Sequence, residues 1–185
     1  MKNILILLFT LSLIGCNNND LKKEFNCASN TDISETKEIR DVLKKFKLQL
    51  PVNWKTQLYY DDFQSEIYSA DTTKSLKETY ILDISWHQGE LDLIESFDQT
   101  VKDTLAIKEG LSLVKSNFAK FQKKPCYWNL SKGKAGEFTY HFFQVYVKTE
   151  VDEYFTFTTK IYGDEMVDER LCESISLTDQ ITFIE

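Results

Sequence analysis

Apolar residues recur at every second position in several stretches of the chain, which is the period of a half-buried β-strand. Residues 46–50 alternate in this way and end at Pro51, because proline lacks the N–H that a sheet ladder requires. Further strands are predicted over 64–70 and 78–87. We expect Trp54, which follows the proline turn, to fold back over the edge of the sheet.

Three other stretches have the helical period. A short helix is predicted over 33–46, a longer one over 92–108 that stops at Gly110, and a closing one over 163–175. In the two longer helices, the residues expected to face inward are Leu93, Ile94, Phe97, Val101, Leu105, Ile107, Met166, Val167, Leu171 and Ile175.

Between the two longer helices the two-residue period returns. It predicts an antiparallel meander with strands over 111–122, 125–131, 137–149 and 153–162, and turns over 132–136 and 149–153. Strands, helix, strands and helix make an α+β protein, with helices packed on an antiparallel sheet. No repeat or linker divides residues 45–185.

This order of elements, opened by the motif F-x-L-x-L-P-x-N-W, resembles the PsbP-like fold group over residues 45–180. That group includes the lumenal PsbP proteins of photosystem II and a Ran-binding nuclear import factor of the Mog type, and similar bacterial domains are often lipoproteins. The resemblance implies an α/β/α sandwich around an antiparallel sheet. It implies no activity, because the matching residues are structural: Phe46, Leu48, Leu50, Pro51, Asn53 and Trp54.

The N-terminus has the pattern of an export signal. Lys2 precedes an apolar run of eleven residues, 4–14, which is shorter than the about 20 residues that span a bilayer. The sequence Leu-Ile-Gly-Cys that ends at Cys16 resembles the lipobox of bacterial lipoproteins. That resemblance implies cleavage before Cys16 and a diacylglycerol on its sulfur.

We therefore predict a lipoprotein signal peptide over 1–15, an acylated cysteine and flexible tether over 16–32, and a single PsbP-like domain over 33–185. Burial of acyl chains contributes about 0.8 kcal/mol per CH₂, so two or more chains hold a protein stably on a membrane. The predicted location is the exported side of a bacterial cell membrane or outer membrane.

The charge of the chain limits its partners. Lys2 is the only charged side chain among residues 1–15, so their removal changes the formal net charge from −7 to −8. This acidic balance argues against nucleic acid, whose phosphates require basic patches. It also argues against electrostatic docking on anionic lipids, so the acyl group has to supply the anchor.

Three cysteines remain after Cys16 in a compartment that permits disulfides. Cys27 stands in the polar tether, where a free thiol would be reactive, so we expect it to pair. Cys172 is favoured as its partner because chain termini often lie close together, and Cys126 is the alternative. A pair between Cys126 and Cys172 also stays open.

No catalytic signature is visible in the sequence. The two histidines, His87 and His141, have no G-x-S-x-G motif or cysteine-protease signature near the candidate nucleophiles Cys126, Ser85 and Ser131. His141 is expected to be a satisfied strand histidine. The acidic pairs lack the spacing of a calcium loop, and the cysteines lack that of a metal site, so no metal and no cofactor are predicted.

Aromatic residues make up 14% of the chain, and several stand close to predicted loops. Trp54, Trp86 and His87 are the predicted contact surface, because tryptophan is favoured at recognition surfaces. The resulting hypothesis is a membrane-anchored, non-enzymatic lipoprotein that binds or helps assemble a protein partner at the cell envelope. The alternative is a small-molecule-binding or hydrolytic envelope protein.

Overall fold

The computed structural model describes residues 20–27 and 35–184. The strands are β1 (Thr36–Arg40), β2 (Phe46–Pro51), β3 (Lys55–Tyr60), β4 (Gln64–Ala70), β5 (Tyr80–Gln88), β6 (Ser112–Phe121), β7 (Lys124–Ala135), β8 (Phe138–Lys148), β9 (Glu153–Tyr162) and β10 (Thr182–Phe183). The helices are α1 (Asp20–Glu24), α2 (Ser96–Thr104) and α3 (Val167–Thr178), and α2 continues into a π-helical turn, Leu105–Glu109.

Two antiparallel sheets organise the domain. Seven strands form the main sheet in the order β3-β4-β5-β9-β8-β7-β6, and three form a small sheet in the order β1-β2-β10. Alternate residues of the main sheet point to one apolar face, which we call the core face; in β5 these are Leu82, Ile84 and Trp86. The small sheet, α3 and α1 cover that face.

The opposite face of the main sheet is covered only in part. The α2 helix and its π-helical turn pack Val101 and Leu105 against Tyr127 of β7, next to Tyr146 of β8. No described helix covers this face over β4, β5 and β9, and we call that area the open face. The α+β fold, with helices on both sides of an antiparallel sheet, is confirmed.

The helix predicted over 33–46 is wrong, because residues 36–40 form strand β1. The amphipathic strand β2 needs a partner, and β1 pairs with it so that Ile39 lies opposite Leu48. A turn then leads from β1 into β2. In this turn a carboxylate oxygen of Asp41 accepts a hydrogen bond from the backbone N–H of Phe46 at 2.8 Å.

The turn predicted over 132–136 is placed too early. Strand β7 runs to Ala135, and the chain reverses at Gly136 and Glu137 instead. Gly133 lies inside the strand, where it pairs with Tyr140 of β8, and the Leu111 side chain packs on its backbone: a Cβ at position 133 would stand 2.6 Å from Leu111 Cδ2. This glycine permits a close approach and does not mark a turn.

Both longer helices are confirmed in position, although they begin later than predicted, at Ser96 and Val167. Three residues expected to face inward are exposed instead: Ile94, Ile107 and Met166. Ile94 precedes α2, and Met166 is the N-cap of α3 in the left-handed conformation, so neither lies on the inner face of its helix.

Residues 20–27 were expected to belong to a flexible tether, and this is wrong. The Leu21 side chain is fully buried in the main core, and the Phe25 ring packs edge-on against Trp128 at 4.9 Å. A disulfide joins Cys27 to Cys172 of α3, which confirms the favoured pairing, while Cys126 is buried in the core. Cys16 and the signal segment lie outside the described residues.

Loss of the disulfide should destabilise the domain strongly, because it closes a long loop, with a sequence separation of 145. We expect Cys172→Ser to lower the free energy of unfolding by about 2–5 kcal/mol in urea titrations. Reduction of the wild-type protein should reproduce that loss, and a reducing agent should not affect the variant further. Equal stability of variant and wild type would contradict this structural role.

Candidate functional site

Trp54 does not form part of an exposed surface. Only 5% of it is accessible, and its ring packs edge-on against Tyr80 at 5.1 Å in the main core. The turn at Val52 and Asn53 directs the indole inward, and the amide of Asn53 donates to Asp71 at 3.2 Å. The prediction that Trp54 belongs to a contact surface is therefore wrong.

Trp86 and His87 are adjacent in β5 and therefore point to opposite faces of the main sheet. Trp86 is 3% exposed, so its predicted exposure is also wrong: β5 lies between β4 and β9, and the core covers its end. The ammonium of Lys45 lies 4.3 Å from the centre of the Trp86 ring. Of the predicted contact residues, only His87 is accessible, and it is half-buried.

His87 lies on the open face and is held by two neighbours from β9. Its Nε2 is 3.0 Å from the Thr156 hydroxyl, and its ring stacks on Tyr154 at 4.7 Å. Burial lowers the pKa of His87 below its ordinary value, against the opposing effect of the Asp83 and Asp61 carboxylates. The neutral imidazole is therefore the favoured form in the folded protein.

A surface groove of about 740 Å³ lies next to the end of β5 and the start of β9, and we call it the hairpin groove. It lies beside the loop that joins β8 to β9. The residues that line it are Lys45, Gln122, Lys124, Phe155, residues 149–153 and residues 181–184. Phe155 and Ile181 make its floor apolar, while Val151 stands exposed in its loop.

Both signs of charge occur at the hairpin groove. Lys45 donates to the Glu153 carboxylate at 2.6 Å while it covers Trp86. Lys124 lies 5.8 Å from the centre of the Phe183 ring. An apolar floor with charged groups at its edge suits recognition of a polypeptide or an amphipathic small molecule.

Polar side chains form a second cluster in the middle of the open face. Lys160 binds the Asp83 carboxylate at 3.2 Å and lies 5.2 Å from the centre of the Tyr68 ring. Burial raises the pKa of the Glu66 carboxyl, and the nearby Asp83 charge adds to that effect. A carboxyl with a raised pKa on an accessible face is a feature of binding and catalytic sites.

His141 is a satisfied strand histidine, as expected. Its Nε2 lies 3.0 Å from an Asp164 carboxylate oxygen, and Lys132 binds the same oxygen at 3.0 Å. Hydrogen bonds from Thr139, Lys132 and His141 hold the pKa of Asp164 well below its usual range. Lys132 and Asp164 of this cluster are exposed and His141 is buried beneath them, at the start of the loop that leads to α3.

The structure does not bring the histidines to the candidate nucleophiles. Cys126 and Ser131 are buried in β7, and the Ser85 hydroxyl donates to Asp83 at 3.3 Å. The hydroxyl that does contact a histidine, that of Thr156, was missed. The pairing of His87 with Tyr154 in the register of β5 and β9 places it there, and a single strand pattern does not reveal such a pairing.

Within residues 20–27 and 35–184, the structure shows no group of three acidic, histidine or cysteine side chains arranged to hold a metal ion. No helix in the same residues is long and apolar enough to cross a bilayer.

The fold has known counterparts. The solution structure of cyanobacterial PsbP from Synechocystis is similar, with a TM-score of 0.62, 9% sequence identity, and coverage of 85% of this chain and 97% of that one. The Ran-binding protein Mog1p of Saccharomyces cerevisiae matches with a TM-score of 0.53, 10% identity, and coverage of 82% of this chain and 96% of that one. The chain has a PsbP/Mog1-like fold. No protein-family model and no curated protein matches its sequence.

The half-buried, neutral His87 should make the domain less stable in acid. Its pKa is lowered on folding, so its contribution is complete above the unfolded-state pKa of about 6.5 and is lost as the pH falls through the folded-state value. We expect the wild type to lose more unfolding free energy than His87→Gln between about pH 7 and 5. An imidazole that titrates at or above about 6.5 by NMR would contradict this.

Proposed function

We propose that this protein is a non-enzymatic, lipid-anchored protein of the bacterial cell envelope that binds or helps assemble a protein partner. The observation that carries the binding role is the hairpin groove, with its apolar floor, its lysines and the exposed Val151 in its loop. Yeast Mog1p, which shares the fold, is a Ran-binding protein, so the fold is compatible with this role. Fold alone is weak support for function, so the groove is the main argument.

The contacts of the titratable groups favour binding over catalysis. His141 is bound to Asp164, and His87 is stacked on Tyr154 with its Nε2 at the Thr156 hydroxyl. In the part of the chain that the structure describes, no acidic side chain is hydrogen-bonded to the other ring nitrogen of His87. A base that activates a hydroxyl needs such an orienting group.

A small-molecule ligand is the second candidate. The hairpin groove has a volume of about 740 Å³, which is within the range of ligand pockets. Its lining combines aromatic and aliphatic side chains with lysines and acidic residues, which fits an amphipathic ligand. The groove is an open surface feature, and this favours a polypeptide segment over an enclosed ligand.

The anchor rests on the lipobox-like sequence that ends at Cys16. We expect Cys16→Ala to remove the thiol that takes the lipid, so that the protein fractionates away from membranes that retain the wild type. Intact mass of the wild type should show the acyl groups and a chain that begins at Cys16. An unmodified chain, or a Cys16→Ala protein that stays on the membrane, would contradict the anchor.

Binding through the hairpin groove is tested by a photo-crosslinking amino acid in place of Val151, in cells that carry the lipidated protein. The matched control replaces Ile107, because both are exposed β-branched residues, at 76% and 83%, and Ile107 lies on the opposite side of the main sheet. We expect one protein partner to crosslink from position 151 and not from position 107. Equal or absent crosslinking at both positions would contradict protein binding at the groove.

A further inference from the structure

Strand β3 is an exposed edge of the main sheet. It pairs with β4 on one side and is the last strand in the order, so no described strand lies on its other side. Apolar side chains are accessible along it and at the adjoining turn: Leu58 is 43% exposed, and Tyr60 and Phe63 are each 64% exposed. An edge with exposed backbone and apolar side chains is a template for another strand.

The hydrogen-bond pattern shows which groups this edge offers. The Asp61 N–H donates to the Gln64 carbonyl at 2.9 Å, and such pairs recur at every second residue of an antiparallel ladder. The odd-numbered residues of β3 therefore bond to β4. The backbone N–H and C=O groups of Thr56, Leu58 and Tyr60 point away from β4 and face an incoming strand.

The other edge of the main sheet is protected, and this contrast identifies β3 as the edge that is open to pairing. Strand β6 has a register irregularity between Leu113 and Lys115, and α1 packs beside it through the ion pair of Lys115 with Glu24. Bulges, lysines and covering elements are the usual devices that block an edge. Strand β3 pairs with β4 without interruption and contains no proline.

The charges along β3 favour a second copy of the same strand. A partner copy running antiparallel must bond through the same even-numbered residues. Of the registers that satisfy this, the one centred on Leu58 places Lys55 of each copy opposite Asp61 of the other; neighbouring registers place Lys55 opposite Tyr59 or Phe63. Lys55 and Asp61 are both exposed, and a twofold axis makes the ion pair twice.

We propose that two copies of this chain associate through β3, antiparallel about a twofold axis at Leu58, to make one continuous sheet. The two Leu58 side chains meet at the axis, and Thr56 of each copy lies opposite Tyr60 of the other. This inference stands on the edge geometry alone and does not depend on the lipid anchor or on the hairpin groove.

The test uses the full chain in detergent, with two differently tagged copies. Lys55→Asp and Asp61→Lys each place like charges opposite one another, so each should weaken self-association by about tenfold. A mixture of the two variants forms one ion pair in reversed form and one in the wild-type form, so each variant should capture the other at about the wild-type level. Lys134→Asp, an exposed charge reversal on β7, is the control and should leave association unchanged.

Asp61 also accepts a hydrogen bond from the Phe63 N–H at 2.7 Å, so its replacement can disturb that turn. Two single-cysteine variants therefore provide a second, independent measurement. Leu58→Cys should form a disulfide-linked dimer on mild oxidation. Thr56→Cys should not, because the two copies of that residue lie about 14 Å apart in the proposed register. A monomeric wild type, no rescue on mixing folded variants, or equal crosslinking at both positions would overturn the proposal.

Discussion

The core face of the main sheet is the constraint on which the rest of the structure depends. Seven strands present an apolar layer that is stable only when it is removed from water, at about 25 cal/mol per Å². The small sheet supplies Phe46, which packs edge-on against Phe155 of β9. Helix α3 supplies Leu171 and Ile175, and α1 supplies Leu21. Because each cover comes from a distant part of the chain, the N- and C-terminal segments meet on the same side of the sheet.

The packing of the N- and C-terminal segments on one side of the sheet determines how a lipid anchor at the N-terminus would orient the domain. The bond between Cys27 and Cys172 fastens the segment after α1 to α3, and the buried Leu21 holds α1 on the sheet. Only residues 17–19 separate Cys16 from α1, and four steps of chain span at most about 14 Å. A lipid on Cys16 would therefore keep the α1 side of the domain close to the bilayer. A sixteen-residue tether would let the domain move much farther away.

Sequence patterns predict the elements whose apolar residues follow one clear period. They fail where pairing between distant strands determines the structure. The alternation in β2, β8 and β9 is enough to place them, because one face of each is buried. Strand β1 reads as a helix because only its pairing with β2 makes it a strand. Trp54 and Trp86 look exposed beside predicted turns, but the covers over their strands come from elsewhere in the chain. The contact of His87 with Thr156 depends on a strand register that no local pattern encodes.

The difference between the two edges also limits what an assembly can be. Because β6 is blocked and β3 is open, pairing uses the same edge on both copies and closes at two, whereas two open edges would permit filaments. An antiparallel pair of edge strands has its twofold axis perpendicular to the sheet, so the core faces of both copies lie on one side. Helix α1 packs on that face through Leu21 and Phe25. Helix α1 of both copies would then lie on the same side of the dimer, so an edge dimer is geometrically compatible with the proposed lipid on Cys16 of each chain entering the same bilayer.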